Sequence, residues 1–265
     1  MHLALGVEYD GSAFSGFQLQ KTSPSVQGAL EKAFSEIANQ PVRIHAAGRT
    51  DAGVHATNQV VGFNSPVTRP LDAWRRGTNS LTPAAVKVRW VREVDADFHA
   101  RYSATARRYM YLWYEDQGRS PTLDGWAVNA ERLDDEAMHQ AGLALVGEHD
   151  FTSFRAAGCQ SQSAHRCVHR VAVHRYGGLV MLDITANAFL LHMVRNIAAG
   201  LVDVGGGVRP AGWLGELLQK NDRRLLGPTA PARGLYLVGV RYPEYQLPDG
   251  EPPGPLRALG ALSRF

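Results

Sequence analysis

The residues best suited to chemistry lie in one nine-residue stretch, Ala47-Gly48-Arg49-Thr50-Asp51-Ala52-Gly53-Val54-His55. It places a carboxylate, Asp51, two residues after an arginine and four residues before a histidine. A carboxylate can attack a sugar carbon or take a proton from one, as carboxylates do in glycosidases. An aspartate just before a glycine is also typical of an ordinary turn, in which the carboxylate bonds its own backbone. The short Asp-Ala-Gly pattern favours the turn, whereas the complete nine-residue word favours chemistry.

Both flanks of this stretch are rich in residues that form strands, over 41–45 and 58–63. Gly48 and Gly53 lie on either side of Asp51. Glycine is expected at such positions where the backbone adopts angles that other residues avoid, or where a ligand approaches the backbone closely. Because a sheet fixes the direction of the loops between its strands, such a loop is a good support for a reactive side chain.

The word from Gly48 to His55 resembles the signature of the TruA family of tRNA pseudouridine synthases. Four further words match the family in the same order along the chain. They are Phe98-His99-Ala100-Arg101-Tyr102-Ser103-Ala104-Thr105-Ala106-Arg107-Arg108-Tyr109, Asp150-Phe151-Thr152-Ser153-Phe154-Arg155, Asn187-Ala188-Phe189-Leu190-Leu191-His192-Met193-Val194-Arg195-Asn196 and Gly234-Leu235-Tyr236-Leu237-Val238. Together they extend over nearly the whole chain.

The resemblance implies an enzyme that cleaves the N-glycosidic bond of a uridine and rejoins C5 of the base to C1′ of the ribose. It implies a tRNA substrate, with the uridines at positions 38, 39 and 40 of the anticodon stem-loop as targets, and a homodimer. No redox change and no net addition of atoms occur, so we expect no cofactor. Whether the carboxylate attacks the sugar or the base, or abstracts a proton, stays open at this point.

Three catalytic positions follow from the resemblance. Asp51 is the nucleophile, and Arg195 supplies the cation that keeps a partly desolvated carboxylate ionised. Taken alone, Arg195 could instead extend from an apolar helix to the solvent. Tyr109 provides a flat ring on which a flipped uracil stacks, although a tyrosine in so apolar a strand is also typical of a core. Arg49 is expected to fill the gap left by the flipped base, the alternative being a salt bridge within the loop.

Other positions are expected to bind the RNA, again by resemblance. They are Arg69, the word Phe98, His99, Ala100, Arg101 and Tyr102, and the polar loop Gly158, Cys159, Gln160, Ser161 and Gln162. We interpret His55 as a structural hydrogen-bonding residue rather than a general base. A zinc site at Cys159, His165, Cys167 and His169 is disfavoured, because structural zinc sites usually begin with a tight C-x₂₋₄-C turn. No metal is expected.

Bulk composition narrows the class of protein. The 265 residues are 45% hydrophobic and 20% charged, with a net charge of +3, which suits a globular chain that can accept an anionic partner. No apolar run reaches the length of a membrane-spanning helix. Two cysteines in a chain of this length indicate a reducing compartment, so we expect a cytoplasmic protein.

Periodicity predicts an α+β fold made of two similar halves. The predicted limits are 1–105 for the half that carries Asp51, 106–245 for the second half and 246–265 for a loosely ordered tail rich in proline and glycine. We expect helices at 131–146, 188–204 and 210–219 and a hairpin at Gly177-Gly178. The family resemblance implies one mixed, mainly antiparallel sheet with a central catalytic cleft. The alternatives to an isomerase are a catalytically inactive tRNA-binding or chaperone protein and a single-carboxylate glycosidase.

Overall fold

The computed structural model describes residues 1–260, and residues 261–265 lie outside the description. Two compact units make up the chain. The first contains Met1–Thr105 and Tyr236–Pro253, and the second contains Ala106–Leu235 and the described residues from Gly254 onward. The segment from Tyr236 to Pro253 therefore corrects the predicted limits, which placed it in the second half and the tail.

The first unit is an antiparallel sheet extended by one parallel strand. Its elements are β1 His2–Tyr9, α1 Val26–Ala38, β2 His45–Ala46, β3 His55–Asn64, α2 Leu71–Leu81, β4 Val86–Glu93 and β10 Leu235–Arg241. Strand β1 pairs antiparallel with β3 and β4, and β2 pairs antiparallel with β3. Strand β10 pairs parallel with β3, which explains why residues 236–253 lie with the beginning of the chain.

Helices α1 and α2 share an aromatic core with the sheet of this unit. Helix α1 begins after Ser25, whose hydroxyl accepts a hydrogen bond from the Gly28 N–H. Its Phe34 stacks on Phe63 of β3 at 4.8 Å between ring centroids, and both rings meet the edge of Trp74 in α2. The sheet behind the Asp51 loop is thus backed by a rigid, buried layer.

The strand predicted over 41–45 is reduced to His45–Ala46. Side chains of α1 occupy the backbone groups that a longer strand would need. The Ser35 hydroxyl accepts from the Val42 N–H, and the Glu31 carboxylate accepts from the Ile44 N–H.

In the second unit most strand pairs are antiparallel, and one short pair is parallel. Its elements are β5 Ala106–Glu115, β6 Val128–Ala130, α3 Asp135–Leu143, β7 Gly147–Asp150, β8 His165–Tyr176, β9 Leu179–Ala186, α4 Met193–Gly205, α5 Trp213–Lys220 and α6 Gly254–Ala258. Strand β9 lies between β5 and β8, and β7 pairs with β8, all antiparallel. The predicted hairpin between β8 and β9 is confirmed, with Gly177 at a φ of 59°.

The three helices predicted for this unit are shorter than expected. The first ends at Leu143, and the third begins at Trp213. The helix expected from Ala188 begins only at Met193, after His192 in a left-handed conformation. A right-handed helix cannot continue through the left-handed backbone of His192, so the helix starts after it. Before this point the Ala188 N–H donates to the Asn187 side chain and the Leu191 N–H donates to the Cys159 sulfur.

The tail predicted to be loose is packed where the structure describes it. Gly250 lies against Val238, where an added Cβ would come within 1.9 Å of the carbonyl oxygen. The Thr57 hydroxyl donates to the Glu251 carbonyl at 2.5 Å, and Leu256 is fully buried. Residues 261–265 of the predicted tail lie outside the described part.

The expected fold class is confirmed, since both units combine helices with mainly antiparallel strands. Among the described residues, no helix is long and apolar enough to span a membrane.

Candidate functional site

Asp51 lies at the tip of the loop that joins β2 to β3. Its side chain is half-buried, and the neighbouring Ala52 is exposed. The Val54 N–H donates to the Asp51 carbonyl at 3.1 Å, which closes a tight turn. Gly53 completes this turn at a φ of 78°, an angle that residues with a Cβ adopt only with strain. The loop therefore holds the carboxylate on a short, sharply bent segment.

The segment before Asp51 is attached to β3. The Ala47 N–H donates to the Val60 carbonyl at 2.8 Å. The side-chain amide of Gln59 then bonds Gly48 twice, donating to its carbonyl at 2.6 Å and accepting from its N–H at 3.3 Å. Gln59 is fully buried.

Thr50, the residue before Asp51, is held through its hydroxyl and its carbonyl. Its hydroxyl shares a hydrogen bond of 2.8 Å with the Tyr9 hydroxyl, and its carbonyl accepts from the Phe17 N–H at 3.0 Å. Burial raises the pKa of Tyr9 to about 12, against the lowering effect of its hydrogen bonds with Thr50 and Gln59. The phenol consequently keeps its proton at neutral pH.

His55, immediately after the loop, is a core residue. Its ring is 1% exposed and stacks on Tyr236 at 4.8 Å between centroids. The Nδ1 atom accepts from the Gly11 N–H at 3.2 Å. The Asp10 carboxylate lies at the same distance, 3.2 Å, from this nitrogen. The environment matches the structural interpretation of His55.

The predicted RNA-binding word 98–102 divides into supporting and exposed residues. Phe98 packs against the rings of Tyr242 and Tyr245, and the buried Ala100 accepts a hydrogen bond from the Tyr242 hydroxyl through its carbonyl. Arg101 is exposed and Tyr102 is 76% exposed. Only the exposed members and His99 offer side chains to a ligand, whereas Phe98 and Ala100 support the turn.

Three rings of this unit form a surface that we call the ring stack: His45, His99 and Tyr102. His99 lies 4.6 Å from His45 and 4.3 Å from Tyr102 between ring centroids, and the Arg101 guanidinium lies over the Tyr102 ring. Burial, and then the neighbouring His45, hold the pKa of His99 below its usual value, so its neutral form is favoured. His45 was missed from sequence, because only the pairing of β2 brings it beside His99.

Arg49 and Arg69, the two other arginines predicted to contact RNA in the first unit, are both exposed. Their positions leave their guanidinium groups accessible from the solvent.

Tyr109 lies on β5 of the second unit. It is 8% exposed, and its ring meets Phe189 edge-on at 5.1 Å. Its sequence neighbour Arg108 is partly exposed and forms a bidentate ion pair with Asp183, with both distances 2.8 Å. Arg108 is thus occupied within the fold.

Arg195 is placed in the first turn of α4 and is half-buried. Its Nε atom donates to the Ala230 carbonyl at 2.8 Å, which directs the guanidinium group. The three predicted catalytic residues are therefore distributed between the units, with Asp51 in the first and Tyr109 and Arg195 in the second.

The polar loop 158–162 is organised by arginines. Arg155 donates to the carbonyls of Cys159 and Ser161, and Arg166 donates to the Ser161 hydroxyl at 2.7 Å. Burial alone would raise the pKa of Cys159, but hydrogen bonds from Leu191 and Ser161 and the Arg155 guanidinium bring it below its usual value. The exposed members of the loop are Gly158, Gln160 and Gln162.

The four residues considered for zinc are not arranged as a metal site. The Cys167 sulfur faces His169 at 3.7 Å, whereas the Cys159 sulfur accepts from the Leu191 N–H. Within residues 1–260, no three His, Cys, Asp or Glu side chains form a group able to hold a metal ion.

Comparison with known proteins identifies the family. The family model described as tRNA pseudouridine synthase matches residues 6–103 and 141–243. The chain belongs to the tRNA pseudouridine synthase family. A "tRNA pseudouridine synthase A" of Shewanella frigidimarina is 52% identical over 250 residues, which cover 94% of this chain and 96% of the relative. One of Aeromonas hydrophila is 54% identical over 259 residues, covering 97% and 96%.

Membership in this family confirms the class of reaction expected from the sequence. Uridine and pseudouridine contain the same atoms, so a pseudouridine synthase is an isomerase, and tRNA is the substrate class. The comparisons do not favour the alternative of an inactive tRNA-binding protein.

Proposed function

We propose that this chain converts uridines at positions 38, 39 and 40 of the tRNA anticodon stem-loop to pseudouridine, with Asp51 as the nucleophile. The observation that carries the proposal is the family word at 48–55, which presents a half-buried carboxylate on a turn anchored on both sides. A nucleophile held by its backbone in this way loses little freedom when the substrate binds.

The reaction balances without a cofactor. The bond from C1′ to N1 breaks, a bond from C1′ to C5 forms, the C5 hydrogen leaves as a proton and N1 gains a proton. A carboxylate can form a covalent intermediate that divides this rearrangement into two easier steps. No electron acceptor or metal is called on by any step.

We assign Tyr109 and Arg195 to the same reaction by their match to the family. The phenol of Tyr109 would stack on the flipped uracil and guide a proton, and Arg195 would supply positive charge. The edge-on contact with Phe189 and the hydrogen bond to Ala230 each limit the motion of one of these side chains. Arg49 would fill the place of the flipped base.

For the RNA surface we propose Arg69, Arg101 and the ring stack in the first unit, with the loop 158–162 in the second. Aromatic faces stack on bases of any sequence, and guanidinium groups bind phosphates. The exposure of Tyr102 and Arg101 supports this assignment. We further propose that the protein acts as a homodimer. We also propose that it works in the cytoplasm, where tRNA is found and where the two cysteines of this chain would stay reduced.

The proposal is tested by the release of tritium from C5 of uridine in an anticodon stem-loop transcript. The wild-type chain should release tritium from the uridines at positions 38, 39 and 40. A transcript with cytidine at one of these positions should release less tritium, by the amount that this position contributes. Asp51→Asn should lower turnover more than a thousandfold while tRNA affinity stays within about threefold, because affinity comes mainly from phosphate contacts.

Two results would contradict the proposal. Turnover of Asp51→Asn within tenfold of wild type removes Asp51 from the chemistry. Binding of tRNA without any tritium release by the wild-type chain supports the inactive tRNA-binding alternative. Activity should also survive an excess of chelator.

A further inference from the structure

The ladder between β2 and β3 is continued by a side chain where its backbone pairing stops. His45 pairs with Gly62 and Ala46 with Val61, and Ala47 N–H donates to the Val60 carbonyl. In this register the next residue, Gly48, lies opposite Gln59. The Gln59 side-chain amide bonds both the N–H and the carbonyl of Gly48, as a peptide group of a paired strand would.

The same amide belongs to a buried network of neutral groups. The hydroxyl of Tyr9, on β1, forms a hydrogen bond with the Thr50 hydroxyl, and the same Tyr9 hydroxyl also interacts with Gln59. Gln59 is 0% exposed, Tyr9 3% and Thr50 7%. The network therefore contacts the loop at Gly48 and Thr50, three residues and one residue before Asp51.

We propose that Gln59, assisted by Tyr9, is a positioning residue that sets the direction of the Asp51 carboxylate. The inference rests on the proposed role of Asp51 as the nucleophile. Without the Gln59 amide, Gly48 would lose the two hydrogen bonds, through its N–H and its carbonyl, that join it to β3. The turn after it could then tilt, and small displacements of a reacting group lower rates by large factors.

A positioning role differs from a purely structural one in the kinetic constant that changes. Gln59→Met keeps the length of the side chain and removes both hydrogen bonds. Its kcat on the stem-loop transcript should fall by about ten- to a hundredfold, with KM for the RNA within about threefold. Gln59→Glu keeps an acceptor for the Gly48 N–H but loses the donor to the carbonyl, and should show a similar loss of kcat.

Thr57→Val is the matched control. Thr57 lies on the same strand, is similarly buried and donates to Glu251 rather than to the loop. Its kcat should remain within twofold of wild type, although its thermal midpoint falls as it does in Gln59→Met. If Gln59→Met does not fold, Tyr9→Phe decides the question, because it removes one hydroxyl and should lower kcat several-fold at unchanged KM.

The outcomes separate the two proposals. If Asp51→Asn is inactive while folded Gln59→Met turns over within twofold of wild type, the positioning role is overturned and the role of Asp51 stands. An equal loss of kcat in Thr57→Val and Gln59→Met also overturns it, because general destabilisation then explains both. Full activity of Asp51→Asn would instead overturn the proposed role of Asp51 as the nucleophile.

Discussion

The two units hold their important segments by different kinds of interaction. In the first unit, amide, hydroxyl and backbone groups secure the Asp51 loop, with Gln59, Tyr9 and Thr50 as buried members. In the second unit, ion pairs connect the strands. Arg108 and Arg170 both face the fully buried Asp183, and Arg175 bonds Glu115 and Asp135.

The arginines accordingly fall into two groups, those that stabilise the fold and those that are available to bind RNA. Arg108, Arg155 and Arg175 are engaged with carboxylates or carbonyls of their own unit. The network around the loop, in contrast, consists of neutral side chains and backbone groups. Since neutral hydrogen bonds do not titrate near pH 7, the loop should keep its geometry over a wide pH range.

The largest expected effect is on the ion pairs of the second unit. Arg108→Met removes the bidentate partner of the buried Asp183, which then faces Arg170 at 3.4 Å, and should lower the free energy of unfolding by about 3 kcal/mol. Urea denaturation measures this change. Arg224→Met, which removes an exposed pair with Asp222, is the control and should cause no measurable loss.

A double variant makes the same test sharper. Adding Asp183→Leu to Arg108→Met removes the unpaired buried charge and should restore much of the lost stability. If the single variant keeps the urea midpoint of wild type and binds tRNA more weakly, Arg108 binds an RNA phosphate and does not stabilise the fold.

A smaller effect is expected from acid. The hydrogen bond from Arg175 holds the pKa of Glu115 below its ordinary value of 4.5, against the opposing effect of burial. A depressed carboxyl pKa stabilises the fold above the unfolded value, and this contribution is lost as pH falls through the folded value. Glu115→Gln should therefore cost about 1 kcal/mol at pH 7 and progressively less below pH 4.5.

Urea unfolding of both proteins between pH 7 and pH 3 measures this difference. The Tyr9 and Gln59 network contains no group that titrates in that range, so the effect of Gln59→Met on stability should not vary with pH. A pH-independent cost of Glu115→Gln would contradict the charged character assigned to the second unit.

The smallest effect concerns the exposed arginine of the first unit. Arg101→Ala should reduce the slope of log affinity for tRNA against log salt by about 0.7 to 0.9, the contribution of one phosphate contact. The loss should be shared by tRNAs of different sequence. Filter binding between low and moderate salt measures the slope, with Arg224→Met as a control that leaves it unchanged. An identical slope for Arg101→Ala removes this residue from the phosphate contacts.

The sequence by itself determined the local elements and the chemistry on offer. Periodicity predicted the three helices of the second unit, although each is shorter than expected, and the glycine pair predicted the hairpin after β8. The loop word predicted both the turn at Gly53 and the family. These features depend on neighbours within a few residues, so their physical causes are visible in the order of the side chains.

Only the tertiary structure decided which residues support that loop. In sequence, Gln59 is one polar position of a strand, and nothing marks its amide as the partner of Gly48. The parallel pairing of β10 with β3 and the contact of His45 with His99 likewise join distant segments. The fold also placed the buried carboxylate of Asp183 on the strand adjacent to Arg108. Such contacts depend on strand order and register, which local patterns do not encode.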